Sequence, residues 1–341
     1  MLRMQPFQLE RPATVAEAVR LLTELGENTL VVAGGTDALP NIKHELFTPE
    51  HVVSLADVEE LRGIHLEDDG TLVLGAMTTV DAVSKHGQVL ARVPALAQAC
   101  GLIAGPQLRR MGTIGGNVLL DTRCQWYNQT YFWREALGFC LKKDGSKCHV
   151  VESGSKCVAA ASNDSAAALM TLGAELVIAS HTGGERRVKL EDFWRADGIF
   201  NKKIQGHEIL TSIRIPQQAK GHRGAYGKLR DRGAIDYPLL GVAVRVDLDD
   251  SGAVSDADVV VIALQARPVR IKKASELLQG HTPGSEAFAT ALEDLAAAAH
   301  KQCHPMPNIP GDHDYRREMV PVFVRRTVQA AASESGPVHH V

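Results

Sequence analysis

Apolar positions open the chain at helical spacing. Across Thr14–Leu25, the residues Val15, Ala18, Val19, Leu22 and Leu25 fall on one face and predict an amphipathic helix. Thr14 stands where an N-cap belongs, and Glu17 completes a capping box three residues on. The pattern then shortens: the Val-rich run Thr29–Ala33 predicts a buried strand that ends at once in Gly34-Gly35-Thr36-Asp37. Further strands are predicted at 51–55, 71–75 and 174–180, and helices at 79–86, 93–100 and 166–172, with Gly105-Pro106 reading as a breaker. Residues 118–163 show no sustained period and read as an irregular loop. The polar stretch 216–224, PQQAKGHRG, marks a boundary. Beyond it come strands at 240–248 and 259–264 around the turn Asp249–Gly252, then helices at 271–278, 285–299 and 320–332, and a tail, 333–341, expected to fray.

Length and charge narrow the classes. At 341 residues the chain has room for about two domains. Its formal net charge of −3 argues against a nucleic-acid footprint. No apolar run approaches the ~20 residues of a membrane span, and the start MLRMQPFQLERP lacks the apolar core of a secretory signal. A cytoplasmic protein without membrane or nucleic-acid partners is expected.

Two glycine pairs carry the first candidate chemistry. AGGTD (33–37) follows a strand, and TIGGN (113–117) repeats the device. Glycines let a backbone turn with positive φ, and exposed N–H groups in such a turn form an anion-binding nest. Neither loop matches the common dinucleotide fingerprint or the P-loop. Each is readable as an ordinary tight turn; as a pair they could cradle a diphosphate.

Four of the six cysteines form the second candidate: Cys124, Cys140, Cys148 and Cys157. The absence of a secretory signal disfavours disulfides, and no closely spaced pair of the kind that marks structural zinc is present. Four thiolates also suit an iron–sulfur cluster, although these are not the common ferredoxin spacings. Two of the chain's three tryptophans, Trp126 and Trp133, lie in the same segment with Tyr127, Tyr131, Phe132 and Phe139, a cluster able to shield a redox centre. Free core thiols remain an alternative. Cys100 and Cys303 read as bystanders and His149 as a surface neighbour.

With AGGTDALP, TIGGN and Asp164 in this order, and with AYGKLRDR (225–232) and ALQARPVR (263–270) beyond, the chain resembles the FAD-binding subunits of the molybdenum hydroxylase (xanthine oxidase) family from residue 6 to about residue 332. The resemblance implies an α+β fold: a two-lobed FAD-binding domain of the vanillyl-alcohol-oxidase-like type and an α+β C-terminal domain of the CO dehydrogenase flavoprotein type. It divides the chain into lobe 1 (1–58), lobe 2 (59–216, with an insert at about 118–163) and a C-terminal domain (217–335). Val31, Val32, Ala33, Gly34, Gly35, Thr36 and Asp37 would line the FAD diphosphate and ribityl region, and Thr113, Ile114, Gly115, Gly116 and Asn117 would form the other half of the cradle. Asp164 would hydrogen-bond the ribityl or adenosine portion, Ile103 and Ala104 would lie near a ring system, Leu210 would make an apolar contact, and Lys228 would bring positive charge to the flavin.

The insert RCQWYNQTYFWREALGFCLKKDGSKCHV is similar to that of the 4-hydroxybenzoyl-CoA reductase branch, which implies a [4Fe–4S] cluster on the four cysteines. It also implies a heterohexamer with a molybdenum-cofactor subunit and a [2Fe–2S] subunit, the substrate site lying on the former. Electrons would pass from ferredoxin through the cluster and FAD to the [2Fe–2S] centres and then to molybdenum. A hydroxylase acting on another aromatic or heterocyclic substrate is the alternative, and a zinc-stabilised module without redox function is a second. Flavin and cluster sites are expected to be separable.

Overall fold

A computed structural model describes residues 2–340, folded around three sheets. The first holds β1 (Gln8–Glu10), β2 (Thr29–Val32) and β3 (His51–Ser54), all parallel, in the order β1-β3-β2. The second holds β4 (Ile64–Leu66), β5 (Leu72–Gly75), β6 (Glu175–Ser180), β7 (Gly184–Lys189) and β8 (Glu208–Ile215), antiparallel, in the order β4-β5-β8-β6-β7. The third holds β9 (His222–Leu229), β10 (Leu240–Leu248), β11 (Val254–Ile262), β12 (Val269–Arg270) and β13 (Val338–His340), in the order β12-β11-β10-β9-β13.

The third sheet is buried on both faces, and strand alternation assigns each residue to one of them. Val242, Val244 and Val246 of β10 join Val259 and Val261 of β11 against the helices Glu286–Gln302 and His313–Ser333. The intervening Ala243, Val260 and Ile262, with Tyr226 of β9, pack instead into the core of the second sheet and its helices. One continuous core therefore joins the third sheet to the second. Among the described residues no helix is long and apolar enough to cross a membrane.

Several elements differ from the sequence pattern. The tail does not fray up to residue 340: β13 pairs in parallel with β9. The polar stretch at 216–224 contains the start of β9. β7, sequence GERRVK, carries no apolar period because it is a polar edge strand. β11 begins five residues before the predicted start, since Asp256 and Asp258 are held by Arg245 and Arg270. Pro106 does not break the chain but opens the short helix Pro106–Arg109, a position where its missing N–H costs nothing. The last helix starts at His313, capped by Asp312, and contains Pro321, which the pattern had placed at its first turn.

Arg316 of that helix is fully buried and, among the described residues, is bonded to carbonyls and to no carboxylate. Its guanidinium donates to the carbonyls of Leu239 (2.9 Å), Met306 (3.0 Å) and Ala263. Burial lowers its pKa to about 10, so it stays charged at neutral pH. Arg316→Met would strip three carbonyls of their donor at one to three kcal/mol for each buried group left unsatisfied. Chemical denaturation should show a loss of about 3 kcal/mol or more.

Candidate functional site

A cleft of about 480 Å³ runs between the three sheets. Its floor is the loop leaving β2. There the amides of Gly34, Gly35, Thr36 and Asp37 donate to no protein acceptor among the described residues, and Gly35 adopts a φ of 70°. Consecutive unspent N–H groups facing a cleft are an anion nest. Gly34 is required for another reason: a Cβ there would sit 1.8 Å from the Met111 carbonyl oxygen, so the two loops touch backbone to backbone. Gly115 is equally constrained, since its Cβ would lie 2.7 Å from that of Ala76.

The second loop is not a second nest. Ile114 N–H donates to the Thr78 carbonyl (2.8 Å), Gly115 N–H to that of Ala76 (2.9 Å), Gly116 N–H to Thr113 Oγ1 (3.1 Å) and Asn117 N–H to the Thr113 carbonyl (2.9 Å). Thr113 caps the short helix Ile114–Val118, so these four amides are spent inside the fold. The Asn117 side-chain oxygen is likewise taken, accepting from the Ser165 N–H and hydroxyl.

Asp164 opens the helix Asp164–Thr171 at the back of the cleft and is 3% exposed. Its carboxylate accepts from the Tyr226 hydroxyl at 2.8 Å and from Lys228 Nζ at 3.1 Å. Burial pushes its pKa up against the pull of these donors. Lys228 is neither solvated nor in the cleft lining. On β9 it shares the face of Tyr226, and it is fully buried. Its ammonium also donates to the carbonyls of Leu102 (3.0 Å) and Asp236 (3.3 Å), and so ties down three stretches that line the cleft: 103–104, Asp164 and 235–237. Its charge is held inside this tripod, behind the residues that line the cleft.

Of the other expected residues, Val31, Ala33 to Asp37, Ile103, Ala104, Thr113, Gly115, Gly116, Asn117 and Leu210 line the cleft. Val32 packs instead with Ile42 and Val52, and Ile114 lies in the core. Sequence reasoning missed Met77, Asp121, Ser162, Ile209 and Ile235 to Tyr237, which also line it. Ile235 and Ala104 both hold positive φ (58° and 45°), and the Ile235 N–H donates to the Ala104 carbonyl at 3.1 Å. A β-branched residue in that region is backbone strain concentrated at the cleft mouth.

The four cysteines converge on one cavity beside the cleft, each 7–8% exposed. Arg123 and Ala160 bridge the base of the insert through two backbone hydrogen bonds of 2.8 and 2.7 Å. Backbone N–H groups of Val151 and Ala159 point at Cys148 and Cys157 Sγ, each at 3.4 Å. Burial pushes Cys124 up to about 12 and Cys157 to about 11. Among the described residues no three of these sulfurs lie within 4.8 Å of one another. A tetrahedral zinc with Zn–S bonds of about 2.3 Å would draw them to roughly 3.8 Å. Only Trp126 and Tyr127 of the aromatic cluster line the cavity; Tyr131, Phe132 and Trp133 turn outward, and Phe132 is 79% exposed. His149 is not a surface residue: it lines the cavity and stacks on Trp126 at 5.2 Å. Cys100 and Cys303 are fully buried elsewhere.

Comparison with known proteins adds the following. Residues 5–218 match the family described as the FAD binding domain in molybdopterin dehydrogenase, and residues 224–331 match the CO dehydrogenase flavoprotein C-terminal domain. The chain is 31% identical to the carbon monoxide dehydrogenase medium chain of Afipia carboxidovorans, covering 96% of this chain and 98% of that one. It is 27% identical to the xanthine dehydrogenase FAD-binding subunit of Escherichia coli O157:H7, with 96% of each covered. A solved carbon monoxide dehydrogenase from Hydrogenophaga pseudoflava, lacking the Mo-pyranopterin moiety of its cofactor, superposes with a TM-score of 0.79 at 28% identity, over 97% of this chain and 99% of that chain.

Two substitutions probe the cleft. Gly34→Ala drives a Cβ into the Met111 carbonyl, and the purified variant should carry little or no bound flavin by absorbance while wild type carries it. Lys228→Met leaves Asp164 buried without its counter-charge and should cost about 3–5 kcal/mol in denaturant unfolding. The double variant with Asp164→Asn should lose less than the sum of the two single losses.

Proposed function

The chain belongs to the family of FAD-binding subunits of molybdenum hydroxylase-type oxidoreductases, and from that premise we propose that it is an electron relay carrying both FAD and a [4Fe–4S] cluster. The observation that carries the cluster half is the convergence of four buried cysteines on one cavity. Amide donors aimed at two of those sulfurs suit thiolates bound to iron.

For FAD, the nest at Gly34–Asp37 holds the diphosphate, as its four unspent amides suit two negative charges. Thr113 to Asn117 supply the opposing wall by shape. Asp164 offers an acceptor to ribityl or adenosine hydroxyls, and Ile103, Ala104 and Leu210 give apolar contact to the ring systems. FAD exchanges one or two electrons, and the cluster exchanges one. The chain's own residues fix both groups and keep water from the thiolates. We assign lobe 1 to residues 1–58, lobe 2 with its insert to 59–216 and the C-terminal domain to 217–335.

The partners in this reading are a molybdenum-cofactor subunit and a [2Fe–2S] subunit, with ferredoxin as donor, in a cytoplasmic heterohexamer. The insert's likeness to the 4-hydroxybenzoyl-CoA reductase branch favours reductive removal of a phenolic hydroxyl from an aromatic acyl-CoA. A second reading, a hydroxylase for a heterocyclic substrate, is favoured by the likeness to a xanthine dehydrogenase subunit.

Chain purified without oxygen should contain about four irons and four sulfides beside one FAD. Stoichiometric zinc without iron would overturn the cluster. The assembled complex should dehydroxylate 4-hydroxybenzoyl-CoA with a reduced viologen; no turnover there, with oxidation of a purine or pyridine instead, would shift the assignment to the second reading.

A further inference from the structure

The cleft and the cysteine cavity share a wall made of charged residues. Asp121 lines the cleft, while Tyr127 and Lys142 line the cysteine cavity. Lys142, only 5% exposed, donates through Nζ to Asp121 Oδ1 at 2.8 Å and to the Gly198 carbonyl at 2.8 Å, and it also contacts the Thr122 carbonyl and hydroxyl. The same ammonium stands 4.5 Å from the centroid of the Tyr127 ring, whose hydroxyl faces Asp121. Lys202, half-buried and bonded to the Leu120 carbonyl at 3.0 Å, acts on Asp121 from a second direction. Arg123, the other cation at this wall, is already paired with Asp37 at 2.8 Å. Asp121 therefore stands against two ammonium groups, and the wall keeps an excess of positive charge between the two cavities.

We propose that Lys142 is a positioning residue whose fixed charge couples the two sites electrostatically, raising the reduction potential of the cysteine-held centre and, through Asp121, that of the flavin. This rests on the reading that the cysteines hold a cluster. An added electron makes either centre more negative, and a nearby cation held out of water stabilises that state through a low local dielectric. Lys142 is anchored by acceptors from the start of the insert and from residue 198, so its charge cannot swing away into solvent. Coupling of this kind is reciprocal: the state of either site alters the other. The two sites remain separable in occupancy but not in energy.

The test is a redox titration of the full chain, following the cluster by electron paramagnetic resonance and the flavin by absorbance. Lys142→Met should move both midpoint potentials to more negative values. Lys142→Arg should stay near wild type, and Asp121→Asn, which keeps the cation and removes its counter-charge, should move both to more positive values. Shifts of opposite sign would not follow from loosened packing. Unchanged potentials in both variants, or shifts of the same sign, overturn the coupling. Should Lys142→Met not fold, the Asp121→Asn shift decides alone. Wild-type chain without iron would refute the reading of the cysteines, whereas iron-loaded chain whose potentials ignore both substitutions would refute the coupling only.

Discussion

A carboxylate and an ammonium, both cut off from water, hold the cleft together. Neither Asp164 nor Lys228 could be buried alone, because an uncompensated charge in a protein interior costs several kcal/mol. They come from different parts of the chain: Asp164 from a helix packed on β10 and β11, Lys228 from the neighbouring strand β9. Their pairing, with Tyr226 on the same carboxylate, makes the third sheet a structural requirement of a cleft that lies mostly in the first 216 residues. The remaining donors of the ammonium fix the carbonyls of Leu102 and Asp236, so one side chain sets the spacing of the cleft's back wall and mouth. At the other end the corresponding constraint is steric, since Gly34 leaves room for the Met111 carbonyl and nothing larger.

How far the sequence revealed this depends on whether the cause was local. The first helix and its Thr14 cap, β2 with its glycine turn, and β10 follow from short-range periodicity, and the structure places them there. The second glycine loop shows the opposite case. As a string it resembles the first, yet two of its amides are consumed locally by Thr113 and the other two, of Ile114 and Gly115, by Thr78 and Ala76, more than 30 residues upstream, through contacts that no local pattern encodes. Lys228 was partly legible: strand alternation puts it on the face of Tyr226, which belongs in a core, and that argues against a solvated surface cation. β7 and β13 were hidden because edge strands need no apolar period.

The four cysteines stood out as a group from spacing alone, but spacing left their chemistry open. The structure adds that all four line one cavity. The aromatic cluster divided on folding: its helix, Tyr131–Ala136, rests Trp133 against Trp126, which lines the cavity, and leaves Phe132 in solvent. A run of aromatics thus marked the segment correctly without showing which rings shield it.

The way the insert is tethered bears on what it can do. Its base is bridged between Arg123 and Ala160. Its helix is clasped to the first lobe by Arg134, 1% exposed, which donates to the Glu45 carbonyl at 2.9 Å and pairs with Asp144. Gln125 N–H and side chain reach Asn308 and Pro307 in the last third of the chain. Together these contacts hold the insert to residues 44–45 and 307–308, far from it in sequence, so any shift of the insert would have to break contacts at both. The Asp121–Lys142 pair joins the two sites, since Asp121 lines the cleft and Lys142 the cysteine cavity.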